Sequence, residues 1–177
     1  MTKFPFGAIL VILLAGQAVA ASLEEASVAA KHGDYATAMR LLRRLAEQGN
    51  AEAEGEIGYL YQDGDGVPRN PELAMSWFRK SATDGYLLAQ NKLGLMYANG
   101  WGVPQDGPQS VFWFRKAAEQ GYAPAQGSLV RIYTEGRLVR QDPAQAGYWQ
   151  AKLSVNPHSR VVTMTPTPTI APAPKGP

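Results

Sequence analysis

The sequence predicts an all-α fold, an α-α superhelix built from helix-turn-helix repeats, and three observations predict it. Trp77, Trp113 and Trp149 lie 36 residues apart. Six further columns keep the same step: Ala53, Ala89 and Ala125; Ile57, Leu93 and Leu129; Tyr61, Tyr97 and Tyr133; Gly64, Gly100 and Gly136; Val67, Val103 and Val139; Lys80, Lys116 and Lys152. Within each period the apolar positions recur at intervals of three and four, interrupted by Gly and Val-Pro turns, as two short amphipathic helices require.

The chain is expected to begin with a leader. Lys3 precedes an apolar run from Phe6 to Ala15, a break at Gly16-Gln17, and the small-residue site Ala18-Val19-Ala20. This is the pattern of a secretory signal peptide spanning 1–20 and cleaved after Ala20. The run is shorter than the roughly 20 residues of a spanning helix, so no stable membrane insertion is expected after processing. The sequence has no cysteine, which excludes disulfides, a thiol nucleophile and lipid attachment at the cleavage site. A periplasmic address is expected, or secretion.

Residues 21–50 read as a degenerate first copy. Ala38, Leu41 and Leu42 fall in the columns of Ala74, Trp77 and Phe78, with Leu23 to His32 as the first helix. An atypical terminal copy suits a solenoid cap, one of whose faces has no neighbour.

Residues 51–86, 87–122 and 123–156 form three fuller copies. In the first helix, Ala53, Ile57, Leu60 and Tyr61 share one face. Gly58 and Gly94 beside that stripe let the partner helix approach closely, and Val130 in their column predicts looser packing in the third copy. Gly64 and Gly100 supply the positive φ that ends a helix. Asn70-Pro71, Asp106 with Gln109, and Asp142-Pro143 with Gln145 cap the second helix. Trp113, flanked by Phe112 and Phe114, is expected to lie buried between helices. Residues 157–177, rich in Pro and Thr, read as a disordered tail. Its run Arg160 to Met164 is a candidate segment for binding a partner or this chain's own groove.

The pattern Ala-x-x-x-(Leu/Ile)-Gly-x-x-Tyr-x-x-Gly-x-Gly-Val, then Asp, then Ala-x-x-Trp-x-x-Lys-(Ala/Ser)-Ala-x-x-Gly resembles the Sel1-like repeat, a relative of the tetratricopeptide repeat. The second copy, Ala89 to Gly121, carries it best; the third departs at Val130, Leu138, Gln150, Leu153 and Pro157. The resemblance implies a right-handed solenoid and an adaptor that binds other proteins, which the leader pattern places among exported bacterial members. An immunity protein against a toxin delivered to the periplasm is an alternative, and an envelope hydrolase a weaker one.

Little in the sequence suggests catalysis. His32 and His158 have no partner at metal-ligand spacing. Asp63-Gly64-Asp65-Gly66 lacks the closing glutamate of a calcium loop. Glu52, Glu54 and Glu56 could form a carboxylate site, but the first turn of a helix favours negative charge and keeps it solvated. No enzyme activity, cofactor or metal is expected. Charge is two-ended: residues 21–86 hold 7 basic and 11 acidic side chains, net −4, and residues 87–177 hold 9 and 4, net +5. This suits a protein partner or self-association head to tail; a uniformly basic stripe would suggest nucleic acid or an anionic membrane, but the excess is modest and unclustered, and export argues against nucleic acid.

In solenoids of this kind the first helix of each pair lines a concave side. The positions between its packing columns, Gly55, Tyr59 and Gln62, then Asn91, Leu95 and Ala98, then Gly127, Arg131 and Thr134, vary from copy to copy. Tyr59, Gln62, Asn91, Leu95, Arg131 and Thr134 are therefore the candidate groove for a protein or extended peptide. Trp101, in a turn where the first copy has Asp65, is a candidate anchor on a loop.

Overall fold

Capping chemistry and glycine punctuation divide the chain into helices of nearly equal length. In the computed structural model, which describes residues 22–157, these are α1 (residues 22–31), α2 (Tyr35–Glu47), α3 (Ala51–Asp63), α4 (Pro71–Thr83), α5 (Leu87–Asn99), α6 (Gly107–Glu119), α7 (Ala123–Glu135) and α8 (Pro143–Val155). There is no strand among the described residues. The fold is all-α, a series of helical hairpins of the solenoid class, as the repeat predicts. The expected signal peptide, 1–20, lies outside the described residues, as does the expected tail, 157–177, apart from Pro157.

The caps follow the 36-residue step. Asp34, Asn70, Asp106 and Asp142 each accept, through Oδ1, the amide of the residue three positions on, at 3.1, 2.9, 2.9 and 3.0 Å. Each thereby satisfies an amide that the first turn leaves without a partner. Gly64, Gly100 and Gly136 end α3, α5 and α7 at φ of 82°, 71° and 69°, a region that disfavours any residue with a Cβ. Behind each, the side chain of Arg69, Gln105 or Gln141 donates to a last-turn carbonyl, of Gln62, Ala98 and Thr134 respectively.

The chain divides into two compact units, 1–77 and 78–177. In the first, Ala26, Leu42, Leu45, Ala53, Ile57 and Leu60 form the core, with Trp77 packed against it. In the second, Leu95, Phe114, Ala117, Leu129, Ile132, Tyr133 and Trp149 form another. Gly94 is a point of close approach: a Cβ built there would lie 2.6 Å from Phe114 Cδ1, and Ser110 Oγ donates to the Gly94 carbonyl at 2.9 Å. Val130, in the same column, is half-buried against that core.

The expectation for Trp113 needs correcting. Trp113 and Trp77 are half-buried, whereas their neighbours Phe114 and Phe78 are fully buried. On a helix, adjacent residues point about 100° apart, so only one of the pair can face the core squarely. Trp149 alone of the three tryptophans is buried, at 2% exposure.

Candidate interaction surface

Two ladders of polar contacts run through the repeats and set which faces remain for other molecules. Arg43, Arg79 and Arg115 on the second helices donate through Nη2 to the hydroxyls of Tyr61, Tyr97 and Tyr133, 18 residues on, each at 3.1 Å. In the second unit, Gln120 Nε2 donates to the Gly85 carbonyl and to Gln90 Oε1, and 36 residues later Asn156 Nδ2 donates to the Gly121 carbonyl and to Gln126 Oε1. Gln90 and Gln126 in turn donate to the carbonyls of Ala82 and Ala118. Buried amides satisfied on both sides tie one copy to the next.

Against that frame the candidate groove residues divide. In the first unit, Tyr59 and Gln62 are half-buried on α3. In the second, Arg131 is half-buried and Thr134 exposed on α7. Leu95 is 7% exposed and belongs to the core, so it does not present an open side chain as expected. The apolar stripe of α5 is simply wider than the sequence columns suggest. Asn91 is also buried, at 8% exposure, and its Oδ1 has no hydrogen-bond partner. Gly55 and Ala98 are buried as well. Trp101 is 48% exposed in the turn after α5, its amide held by the Met96 carbonyl at 3.0 Å.

The acidic turn of α3 also differs from expectation. Glu52 is exposed, but Glu54 is fully buried and Glu56 half-buried. Glu54 stands in the column of the buried Gln90 and Gln126, which faces packed structure and not solvent. Glu52 and Glu56 line a cavity of about 150 Å³ whose apolar wall includes Leu23, Ala26, Leu42 and Leu60. Burial, and then the charge of Glu52, push the Glu56 carboxyl above its ordinary value. Among the described residues no three His, Asp or Glu side chains converge on a metal position.

Sequence reasoning missed the arginine column. Arg43, Arg79 and Arg115 repeat as strictly as the tyrosines they bond, and that shared step was the available signal.

Comparison with known proteins agrees with this architecture. The Sel1 repeat model matches residues 29–50, 51–86, 87–122 and 127–152. The crystal structure of a Sel1 repeat protein from Oxalobacter formigenes is similar, with 35% identity and a TM-score of 0.68 over 73% of this chain and 54% of that one. So is c5321, a protective antigen present in uropathogenic Escherichia coli strains that displays an SLR fold, with 37% identity and a TM-score of 0.69 over 85% of this chain and 33% of that one. The chain thus spans about half and one third of the length of these two structures. No curated protein sequence matches it.

Proposed function

Because the chain belongs to the Sel1 repeat family, whose repeats are protein-interaction scaffolds and as a rule not catalytic, we propose that it is a non-enzymatic periplasmic adaptor. It holds a partner protein, or an extended segment of one, on the variable face of its first helices.

One observation carries this reading. Arg131 keeps a guanidinium half-buried at the position where the preceding copy has the core residue Leu95. Packing is served there by leucine in the preceding copy, whereas arginine places a planar cation with several hydrogen-bond donors at the same position. The columns that pack in every full copy, such as Ala53, Ala89 and Ala125, recur, and that of Arg131 does not. Arginine is also a side chain on which interfaces concentrate their energy. Tyr59 in the same column and Thr134 one turn beyond Arg131 extend the face in their own units.

The leader pattern of residues 1–20 supports export, and the absence of cysteine fits a chain stabilised by packing alone. The test is capture from a periplasmic extract on the chain beginning at Ala21, followed by titration of the recovered protein. A discrete, saturable partner is expected. Recovery of a toxin would identify the adaptor as an immunity protein, and turnover of an envelope polymer by the purified chain would overturn the non-enzymatic reading.

A further inference from the structure

One exposed repeat column of α6 and α8 carries aromatic side chains that the earlier copies do without. Phe112 and Tyr148 occupy one repeat column and are 48% and 50% exposed. The earlier copies fill that column with Arg40 and Ser76, also exposed. A solvent-facing position that two copies fill with polar side chains has no structural need for a ring.

Each ring carries a cation. Lys116 Nζ lies 5.8 Å from the Phe112 centroid, and Lys152 Nζ lies 5.6 Å from that of Tyr148. Each ring also rests edge-on against the neighbouring tryptophan, Trp113 at 5.0 Å and Trp149 at 4.9 Å, which fixes its direction. Glu119 is the acidic side chain on the same stripe of α6; α8 has none. The face lies in the half of the chain that is net +5.

We propose that this face seats the protein on an anionic lipid surface. Rings that tolerate the headgroup layer, each with an ammonium one helical turn away to meet phosphate, are the pairing that membrane–water interfaces select. A lipid surface needs no matching pocket for each ring, as a protein partner would. No described helix is long and apolar enough to cross a membrane, so the contact is peripheral.

A second copy stacked end to end fits less well. The arginine column that ties each second helix to the next first helix ends in Ala151, and the tyrosine column begins at Glu25. Both ends have lost the rung that such stacking would extend.

The test is cosedimentation of the chain from Ala21 onward, which carries every described helix and leaves out the apolar leader. The probes are vesicles of phosphatidylcholine alone and of phosphatidylcholine mixed with phosphatidylglycerol. Binding is expected on the mixed vesicles only, weakening with salt. Lys116→Glu with Lys152→Glu, and separately Phe112→Ser with Tyr148→Ser, should abolish it while helicity and melting stay as in the parent. A milder variant, Lys152→Gln, should weaken it by roughly fivefold, the effect of about one surface cation. Failure of the parent to bind mixed vesicles, equal binding to both vesicle types, or variants that bind like the parent would each overturn the proposal. So would an acidic protein whose capture depends on Phe112 and Tyr148 when vesicles do not bind.

Discussion

The Arg115 guanidinium and the Tyr133 hydroxyl meet at 3.1 Å across the joint between one helical hairpin and the next, and the same bond recurs at Arg43–Tyr61 and Arg79–Tyr97. Tyr133 is itself buried, so removing its hydroxyl leaves the ring packed and takes away only the bond. Tyr133→Phe should therefore cost about 0.5–1.5 kcal/mol. Arg115→Met should cost a similar amount, and the double variant little more than either alone. Full additivity in denaturant titrations would show that the rung does not couple the two helices.

Phe114 and Trp113 should separate clearly in stability. Truncating a fully buried phenylalanine costs about 3–5 kcal/mol, much of the roughly 5–15 kcal/mol available to a domain. Phe114→Ala should accordingly unfold much of the second unit, while Trp113→Ala, which removes a half-buried ring, should melt closer to the parent. The reverse order would mean that the helix faces are misassigned.

That pair also marks how far the sequence could be read. The caps and turns were legible because a repeat tests itself: an Asp or Asn before every second helix and a Gly after every first helix of the full copies leave little else to propose. The choice between Trp113 and Phe114 was not, since adjacent positions differ by only one helical step and both are apolar. The same holds for Leu95, which periodicity places at the edge of the stripe and packing draws into the core. Glu54, Gln90 and Gln126 were invisible for another reason: an apolar pattern cannot register a column that is buried and polar.

Glycines in α5 and α7 should respond oppositely to alanine. At Gly94 the new methyl meets the Phe114 ring, an immovable neighbour within the core, so Gly94→Ala should destabilise by about 1–3 kcal/mol. At Gly127 the nearest atom is Leu153 Cδ2 at 4.0 Å, and the gain in helix propensity is unopposed. Gly127→Ala should stabilise by about 0.5–1 kcal/mol. Calorimetric melting of the two variants checks both signs, and a Gly94→Ala variant as stable as the parent would show that α5 and α6 are not in close contact there.

Glu56 makes stability depend on pH in a defined direction. Its carboxyl is raised above the ordinary value of 4.5 by burial and by Glu52, so the folded state binds the proton more tightly than the unfolded state. Stability from this group is present below pH 4.5 and is lost as pH rises through the raised folded value. Glu56→Gln should hence stabilise the protein at neutral pH, with the advantage fading as pH falls toward 4.5. An advantage that is constant with pH would locate the effect in packing and not in charge.

The interaction face is tested most directly by giving Arg131 the residue of its own column. Leu95 shows that leucine fits that position, so Arg131→Leu should fold as well as the parent or slightly better. Exposed and half-exposed substitutions of this kind usually stay within about 0.5 kcal/mol. If Arg131 anchors a partner, affinity should fall by roughly thirtyfold, the effect of about 2 kcal/mol, and the salt dependence of binding should flatten because a charge has left the interface. Tyr59→Ala should weaken binding without flattening the salt response, since no charge is removed. Trp101→Ala probes the turn separately. Should the partner bind both helix variants like the parent and lose affinity only for Trp101→Ala, recognition belongs to the turn edge and the half-buried guanidinium needs another explanation.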